Sequence, residues 1–177
     1  MKNSVLLVVD VQQSMVENHP YNESNVLSNI KALISLCREN GVEVIYVRHD
    51  GGTGDELERD SDGWQIWKDI EPQASEKIFD KCFNSAFRGT GLAAYLDSKR
   101  IQRIILAGLQ TEYCIDTTCK VAFEYGYEVL IPEESTSTYD NEYSSGEKIV
   151  EYYTHKIWKD RFAEIISMEE LKTAVIR

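Results

Sequence analysis

The residue of this chain that is best suited to chemistry is a cysteine that follows a glycine-containing turn. The segment Gly108-Leu109-Gln110-Thr111-Glu112-Tyr113-Cys114 comes after an apolar run at 101–107 and before a helical pattern. That pattern predicts a helix whose first residue is Cys114, with Ile115, Cys119, Ala122 and Phe123 on one face. A helix N-terminus favours an anion, so we expect this position to lower the pKa of the thiol. The segment predicts a reactive cysteine, although a small core hydrophobe is the alternative.

Two further ionisable residues follow strand-like runs. Asp10 ends the apolar run at 5–9, and Lys81 follows the run at 77–79. A carboxylate at a strand end, shielded by apolar neighbours, could act as a general base; it could equally be a helix cap or loop anchor. In a cleft, Lys81 would keep a thiolate or carboxylate charged, whereas on the surface it would be solvated.

A long irregular stretch lies between the second and third predicted strands. Residues 50–75 are rich in Gly and Asp and contain Trp64 and Trp67, and His49 comes just before them. A loop of this length in a compact domain is often a binding loop. Trp64 and His49 could line a substrate pocket, but packing of the loop onto the core and a hydrogen-bonded loop histidine explain them as well.

Strand and helix patterns alternate along the whole chain. Apolar or β-rich runs at 5–9, 42–47, 77–79, 101–107, 127–131 and 164–166 are separated by helical patterns. This order predicts a single α/β domain over 1–177, with an open, doubly wound, mainly parallel six-stranded sheet and helices on both faces. Ligands of such Rossmann-like three-layer sheets bind beyond the carboxyl ends of the strands. Asp10, His49, Lys81 and the 108–114 turn all occupy that position, which predicts one shared site.

Composition narrows the classes of function. The net charge of −11 argues against nucleic acid and against anionic membrane surfaces as partners. No apolar stretch approaches the ~20 residues of a membrane span, and no secretory h-region precedes the first strand, so we expect a cytoplasmic location. The four cysteines form no Cys-x-x-Cys pair, and reduced thiols are expected.

Three motifs in this order resemble the isochorismatase-like cysteine hydrolases, the superfamily that contains nicotinamidases and N-carbamoylsarcosine amidases. The motifs are Val8-Val9-Asp10-Val11-Gln12, then Asp80-Lys81-x-x-x-Ser85-Ala86-Phe87, and then Gly108 through Thr118. The resemblance implies a catalytic triad of Asp10, Lys81 and Cys114. It also implies a non-prolyl cis peptide between Leu109 and Gln110, which would aim the backbone N–H groups of Gln110 and Cys114 at an oxyanion.

The resemblance has two departures that bear on the substrate. Nicotinamidase-like members bind a metal through an Asp-x-His pair and further histidines after the second strand, whereas this chain has no His between His49 and His155. We therefore expect no metal and no cofactor, and we disfavour nicotinamide as the substrate. Members that cleave isochorismate lack the cysteine, so Cys114 also disfavours vinyl-ether hydrolysis.

The sequence thus favours a cysteine hydrolase that cleaves a C–N bond of a small amide, ureido or carbamoyl substrate through a thioester. The alternative is a non-catalytic ligand-binding or redox-sensing protein, with Cys82 as an unsupported resolving thiol. The family implies a homodimer or homotetramer, for which Tyr152, Tyr153 and Trp158 are weak sequence support. The predicted substrate-contacting residues are Gln12, His49, Trp64, Phe87 and Tyr113.

Overall fold

The computed structural model describes residues 3–176, with the side chains described up to residue 174. The strands are β1 (Ser4–Val9), β2 (Glu43–His49), β3 (Lys77–Lys81), β4 (Arg103–Leu109), β5 (Glu128–Pro132), β6 (Thr136–Ser137) and β7 (Glu164–Ile166). The α-helices are α1 (Gln13–Glu17), α2 (Glu23–Glu39), α3 (Leu92–Ser98), α4 (Asp116–Glu124), α5 (Gly146–Tyr152) and α6 (Met168–Ile176). Single π-helical segments at Thr111–Ile115 and Tyr153–Trp158 adjoin α4 and α5, and a 3₁₀ turn covers Lys68–Ile70.

The strands form one parallel sheet in the order β3-β2-β1-β4-β5-β7. The predicted doubly wound α/β fold is therefore confirmed. The sheet has seven strands rather than six, because the two-residue β6 pairs in parallel with the end of β4 through Gly108 and Leu109. A strand this short leaves no periodic pattern in the sequence.

Alternate residues of the central strands pack against helices on opposite faces of the sheet. On one face Leu7 and Leu106 join a core that contains Leu96 of α3 and Ala122 of α4. On the other face Leu6 packs with residues of α2 and α6. Because both faces are covered, every residue of β1 is buried, which explains its uninterrupted apolar sequence.

Two helix ends agree with the sequence patterns, whereas one helix end and one helix face differ from them. Gly41 follows the end of α2 with φ +68, as a glycine at C′ does. The spacing Ser167-x-x-Glu170 predicts a capping box for α6, and it is confirmed, since the Glu170 N–H donates to Ser167 Oγ and the Ser167 N–H to Glu170 Oε2. The spacing Ser144-x-x-Glu147 predicts another for α5, but the cap is Ser145, because the helix begins one residue later. In α4 Phe123 is 44% exposed and leaves the predicted buried face.

Within residues 3–176, no helix combines the length and the apolar composition needed to cross a bilayer.

Candidate active site

Four adjacent strands bring the predicted catalytic residues to one edge of the sheet. Asp10 follows β1, while His49 and Lys81 are the last residues of β2 and β3 and are paired in register. The fourth strand, β4, ends at Leu109 and leads into the turn that carries Cys114. Because parallel strands end at the same edge, residues up to 104 positions apart in sequence meet there.

Gly108 allows β1 and β4 to approach closely beside Asp10. It pairs with Val9, and a Cβ atom at Gly108 would lie 1.9 Å from the Val9 carbonyl oxygen. Its φ of +130 is also one that a residue with a side chain rarely adopts. Asp10 itself has φ +53, and its N–H donates to the Val47 carbonyl at 2.9 Å. This backbone geometry turns the Asp10 carboxylate toward Lys81 and Cys114.

The Lys81 ammonium group lies at the centre of the site. Its Nζ is 2.6 Å from Asp10 Oδ2, 3.2 Å from Cys114 Sγ and 2.9 Å from His49 Nδ1. An ammonium has three N–H donors, so these three acceptors use all of them. Lys81 and Asp10 are each only 2% exposed. A buried charge of this kind requires a close partner, which Asp10 supplies.

His49 accepts a hydrogen bond from this ammonium, and it is neutral. Burial is the main cause that lowers the pKa of His49, and the positive charge of Lys81 lowers it further. Since Nδ1 faces an N–H donor, we assign the proton of the neutral ring to Nε2. His49 therefore helps to orient Lys81 and adds no charge to the site.

The helical segment that carries Cys114 begins at Thr111 and not at Cys114, as the sequence pattern had predicted. A single π-helical turn spans Thr111–Ile115, and the Gln110 carbonyl accepts from the N–H groups of Tyr113 and Ile115. These two donors flank Cys114, whose N–H would be the usual partner of this carbonyl in an α-helix. The Leu109-Gln110 peptide is cis, at the position that the resemblance implies. π-turns of this kind often occur at functional sites.

The Cys114 thiol is neutral in the free protein, contrary to the prediction of a lowered pKa. Burial, reinforced by the negative charge of Asp10, raises the pKa of Cys114 to about 12, and Lys81 offsets only part of this increase. The side chain is 8% exposed. The helix N-terminus is thus outweighed by desolvation and by the neighbouring carboxylate. Any nucleophilic role requires a base that removes the proton during the reaction.

Asp10 has an oxygen free for that purpose. Asp10 Oδ2 accepts from Lys81, whereas Oδ1 is buried and has no hydrogen-bond partner among the described residues. One oxygen of Asp10, a ring nitrogen of His49 and Cys114 Sγ lie within 4.8 Å of one another. An unpaired buried carboxylate oxygen is costly unless a ligand or a moving proton uses it.

A cavity of about 330 Å³ opens above these groups. Asp10, His49, Gln110, Tyr113 and Cys114 line it together with six residues that the sequence analysis did not single out. Those six are Met15, Gly51, Asp55, Glu56, Leu57 and Asn84. Four of them belong to the 50–75 loop, which therefore forms one wall of the cavity.

Asn84 is a missed residue that contacts the sulfur atom. Its Oδ1 lies 3.9 Å from Cys114 Sγ. No local pattern distinguishes Asn84, because it lies in an irregular segment after β3. Its distance of three residues from Lys81 was the available signal.

Three of the five predicted substrate-contacting residues have other partners and do not line the cavity. Gln12 is fully buried and joins His49 to Trp64: its Nε2 donates to both carbonyls, and its Oε1 accepts from the His49 N–H at 2.8 Å. The Trp64 ring is buried beneath Arg48, whose Cζ atom lies 3.4 Å from the ring centroid. Phe87 packs between Tyr125 and Tyr127. His49 and Tyr113 do line the cavity, and Tyr113 is 50% exposed.

The donor atoms around Lys81 do not suit a metal ion. Asp10, His49 and Cys114 are the residue types that metals bind, and they converge within 4.8 Å. However, the Lys81 ammonium is within 3.2 Å of an atom of each. A cation placed among them would be repelled by this charge at short distance. The absence of a metal therefore remains a prediction, for which the position of Lys81 is the support.

A second cavity, of about 340 Å³, is lined by four glutamates and His155 beside α5. The glutamates are Glu133, Glu134, Glu147 and Glu151. It contains no cysteine and no buried ion pair such as that of Asp10 and Lys81.

Known proteins resemble this chain across the same elements. The family model described as Isochorismatase domain matches residues 4–170. Streptothricin hydrolase from Streptomyces noursei is 31% identical over 137 residues, which are 76% of this chain and 50% of that protein. The chain thus spans about half the length of that relative. The uncharacterized isochorismatase family protein YrdC from Bacillus subtilis is 26% identical over 177 residues, covering 96% of this chain and 95% of that protein.

A solved structure agrees with these sequence matches. The crystal structure of an isochorismatase family protein superposes with a TM-score of 0.88 at 32% identity, covering 94% of this chain and 99% of the other. The residues that the family model matches, 4–170, include Asp10, Lys81 and Cys114. The chain belongs to the isochorismatase family of hydrolases.

Proposed function

We propose that this protein is a metal-free cysteine amidohydrolase that cleaves a C–N bond of a small amide, ureido or carbamoyl substrate. The observation that carries the proposal is the position of Lys81 Nζ, 2.6 Å from Asp10 Oδ2 and 3.2 Å from Cys114 Sγ, beneath a cavity. This arrangement pairs a nucleophile with a base and fixes both through one cation. The similarity to streptothricin hydrolase supports a hydrolytic reaction.

In the first step Asp10 acts as the general base. Its unpaired Oδ1 accepts the thiol proton as Cys114 Sγ forms a bond to the substrate carbonyl carbon. The π electrons of the carbonyl move onto its oxygen and produce a tetrahedral oxyanion. Because the pKa of Cys114 is raised to about 12, the proton is transferred during the attack and no thiolate accumulates beforehand.

Lys81 stabilises the charge that moves during this step. Its ammonium contacts both the carboxylate that gains the proton and the sulfur that loses it. The positive charge is therefore within 3.2 Å of both groups between which the proton moves, and it stabilises the partial negative charge on the sulfur during the attack. His49 holds the third N–H of the ammonium and keeps it in this orientation.

We assign stabilisation of the oxyanion to the backbone N–H groups of Gln110 and Cys114. The Gln110 carbonyl accepts from Tyr113 and Ile115 and not from the Cys114 N–H, which supports this role for Cys114. Gln110 also lines the cavity. Loss of one such donor typically costs about 10²–10³ in rate.

Collapse of the tetrahedral intermediate completes acylation. The C–N bond breaks, and the leaving nitrogen takes the proton that Asp10 holds, so that ammonia or an amine departs. A thioester on Cys114 remains. Asp10, again ionised, removes a proton from a water molecule that attacks the thioester carbonyl, and expulsion of the sulfur with return of a proton restores the thiol.

The test compares cysteine variants on a panel of amides, ureas and carbamoyl compounds, with released ammonia or amine as the readout. We expect Cys114→Ala and Cys114→Ser to lose turnover by roughly 10³-fold or more while their thermal unfolding is retained. Cys82→Ser is the matched control, because Cys82 is exposed and does not line the cavity. Turnover that survives in Cys114→Ala would exclude this mechanism.

Intact mass separates hydrolysis from the redox-sensing alternative. A substrate-derived acyl mass on Cys114 after rapid acid quenching supports the thioester route. A loss of two hydrogens on peroxide treatment, abolished in both Cys114→Ala and Cys82→Ser, with no turnover of the panel, supports sensing instead.

A further inference from the structure

Two carboxylates of the 50–75 loop line the cavity that contains Cys114. Asp55 and Glu56 are exposed, and both border the space above Asp10 and Cys114. Their hydrogen bonds come from neutral donors. Asp55 Oδ1 accepts from the Leu57 N–H at 2.8 Å, and the Glu56 oxygens accept from Asn18 Nδ2 at 3.2 and 3.0 Å. These bonds orient the carboxylates and leave their charge in place.

Three other carboxylates near the cavity have a cationic partner. Asp10 contacts Lys81 at 2.6 Å, and Asp50 contacts Arg59 at 3.1 Å. Asp80 is paired with Arg48 at 2.9 Å. Within residues 3–174, no basic side chain lies within 4.0 Å of the Asp55 or Glu56 carboxylates. The cavity-lining pair is therefore unneutralised, unlike Asp10, Asp50 and Asp80.

The remaining groups at the cavity do not supply the missing positive charge. Burial lowers the pKa of His49, which is neutral, and the three N–H donors of Lys81 are already engaged. Independently, Asp10 Oδ1 is buried at this cavity with no partner among the described residues, which indicates that a ligand belongs there. A ligand that reaches Cys114 must pass carboxylates that favour a cation.

We propose that this cavity selects substrates that carry a positive charge, an ammonium or a guanidinium group, a few bonds away from the carbonyl that Cys114 attacks. The proposal rests on the proposed amidohydrolase function for the reaction itself, and it adds the class of substrate. Asp55 and Glu56 are the specificity-determining residues. Met15 and Leu57 supply the apolar surface for the carbon chain that links the cation to the carbonyl.

Labelling of Cys114 measures this selectivity without any need for turnover. The probes are N-(2-aminoethyl)chloroacetamide, its neutral analogue N-propylchloroacetamide, and the anionic N-chloroacetyl-β-alanine. In each case the sulfur forms a bond to the CH₂ carbon, chloride leaves with the C–Cl electrons, and the thiol proton is released to solvent. The Cys82→Ser background removes the exposed thiol, and intact mass gives the labelling rate.

We expect the cationic probe to label Cys114 about five times faster than the neutral probe, and the anionic probe to be slowest, as partly exposed charges imply. Asp55→Asn combined with Glu56→Gln keeps the acceptor oxygens and should abolish the preference. Rising salt should reduce it as well. The matched control is Asp60→Asn, an exposed carboxylate of the same loop that does not line the cavity and should leave the preference unchanged.

Equal labelling by the three probes in the Cys82→Ser protein would overturn the inference. A preference for the cationic probe that survives Asp55→Asn with Glu56→Gln would overturn it too, and so would a preference that Asp60→Asn also removes. The proposed function fails separately. If Cys114 prefers the cationic probe but no amide is hydrolysed, charge selection stands and the hydrolase assignment does not. If amides are hydrolysed without regard to charge, only the present inference is lost.

Discussion

Replacement of Asp10 by asparagine should make Cys114 more nucleophilic toward an alkylating agent while it abolishes hydrolysis. The Asp10 carboxylate raises the pKa of Cys114, whereas Lys81 lowers it. Asparagine removes the negative charge and leaves the ammonium, whose Nζ is 3.2 Å from the sulfur, so the thiolate is stabilised. A simple loss of a catalytic base would not predict faster alkylation.

The magnitude follows from the distance between the charges. One Asp10 oxygen and Cys114 Sγ lie within 4.8 Å. At an effective dielectric constant of about 20, unit charges at this separation interact by about 3 kcal/mol. That energy corresponds to roughly two units in the pKa of Cys114. The thiolate fraction at pH 8 should then rise about a hundredfold, and the lower nucleophilicity of a less basic thiolate removes about tenfold of this gain.

The assay is the rate of iodoacetamide labelling at pH 8, followed by intact mass in the Cys82→Ser background. Cys37 and Cys119 are fully buried and do not compete. We expect labelling about ten times faster in Asp10→Asn, with amide turnover lower by about 10²–10⁴. Asp60→Asn is the control for a general charge effect. Labelling of Asp10→Asn at or below the parent rate would refute the account of how the Cys114 pKa is set.

Three further predictions concern stability. Gly108→Ala places a Cβ atom 1.9 Å from the Val9 carbonyl oxygen and should lower the free energy of unfolding in urea by roughly 3 kcal/mol. A loss below about 1 kcal/mol would contradict the close approach of the strands. Gln12→Ala removes three buried hydrogen bonds and should lower the free energy of unfolding by about 2–4 kcal/mol. The control Gln13→Ala removes an exposed hydrogen bond and should lower it by less than about 0.5 kcal/mol. Equal losses would be inconsistent with the bridging role of Gln12. Burial raises the pKa of three thiols from 9.0 to about 12 in the folded chain, so the unfolded chain loses these protons at lower pH than the folded chain does. The free energy of unfolding should therefore decline as pH rises above about 9, by roughly 3 kcal/mol between pH 9 and pH 10. A flat profile to pH 11 would contradict this prediction. The thiols are those of Cys37, Cys114 and Cys119.

Self-association remains a proposal for this chain. Of the three aromatic residues that suggested it, Trp158 is fully buried and its Nε1 donates to Asp116 Oδ1 at 2.9 Å. Tyr153 packs against Trp158, and only Tyr152, at 56% exposure, is available to a partner. Light scattering on the purified protein measures the mass directly.

Predictions from local sequence succeeded where a single feature of the backbone dominates. The run at 5–9 indicated a strand buried on both faces, and β1 has no exposed residue. Gly41 ends α2, and Ser167 caps α6, as their types and positions indicate. The four strand ends could be placed together because parallel strands share one carboxyl edge.

Predictions that depended on neighbours in space were less successful. Trp64 and Phe87 are residue types that often line binding pockets, but each packs elsewhere, because aromatic rings pack equally well in a core. The helical segment that carries Cys114 begins at Thr111 and not at Cys114. The hydrogen bonds at its start depend on the conformation of the whole turn. Asp55 and Glu56 were not anticipated, because exposed acids in a loop carry no mark of the cavity they border.

The sequence by itself determined the order of the main strands and helices, the residue types at the strand ends and therefore the class of chemistry. Periodicity, turn residues and motif spacing are local, and they are written in the chain. Only the tertiary structure decided the electrostatics of the site. Lys81 meets three acceptors from three strands, and burial beside Asp10 leaves the Cys114 thiol protonated although the helix start alone favours its anion. Desolvation and charge separation depend on distances across the fold, which spacing along the chain does not contain.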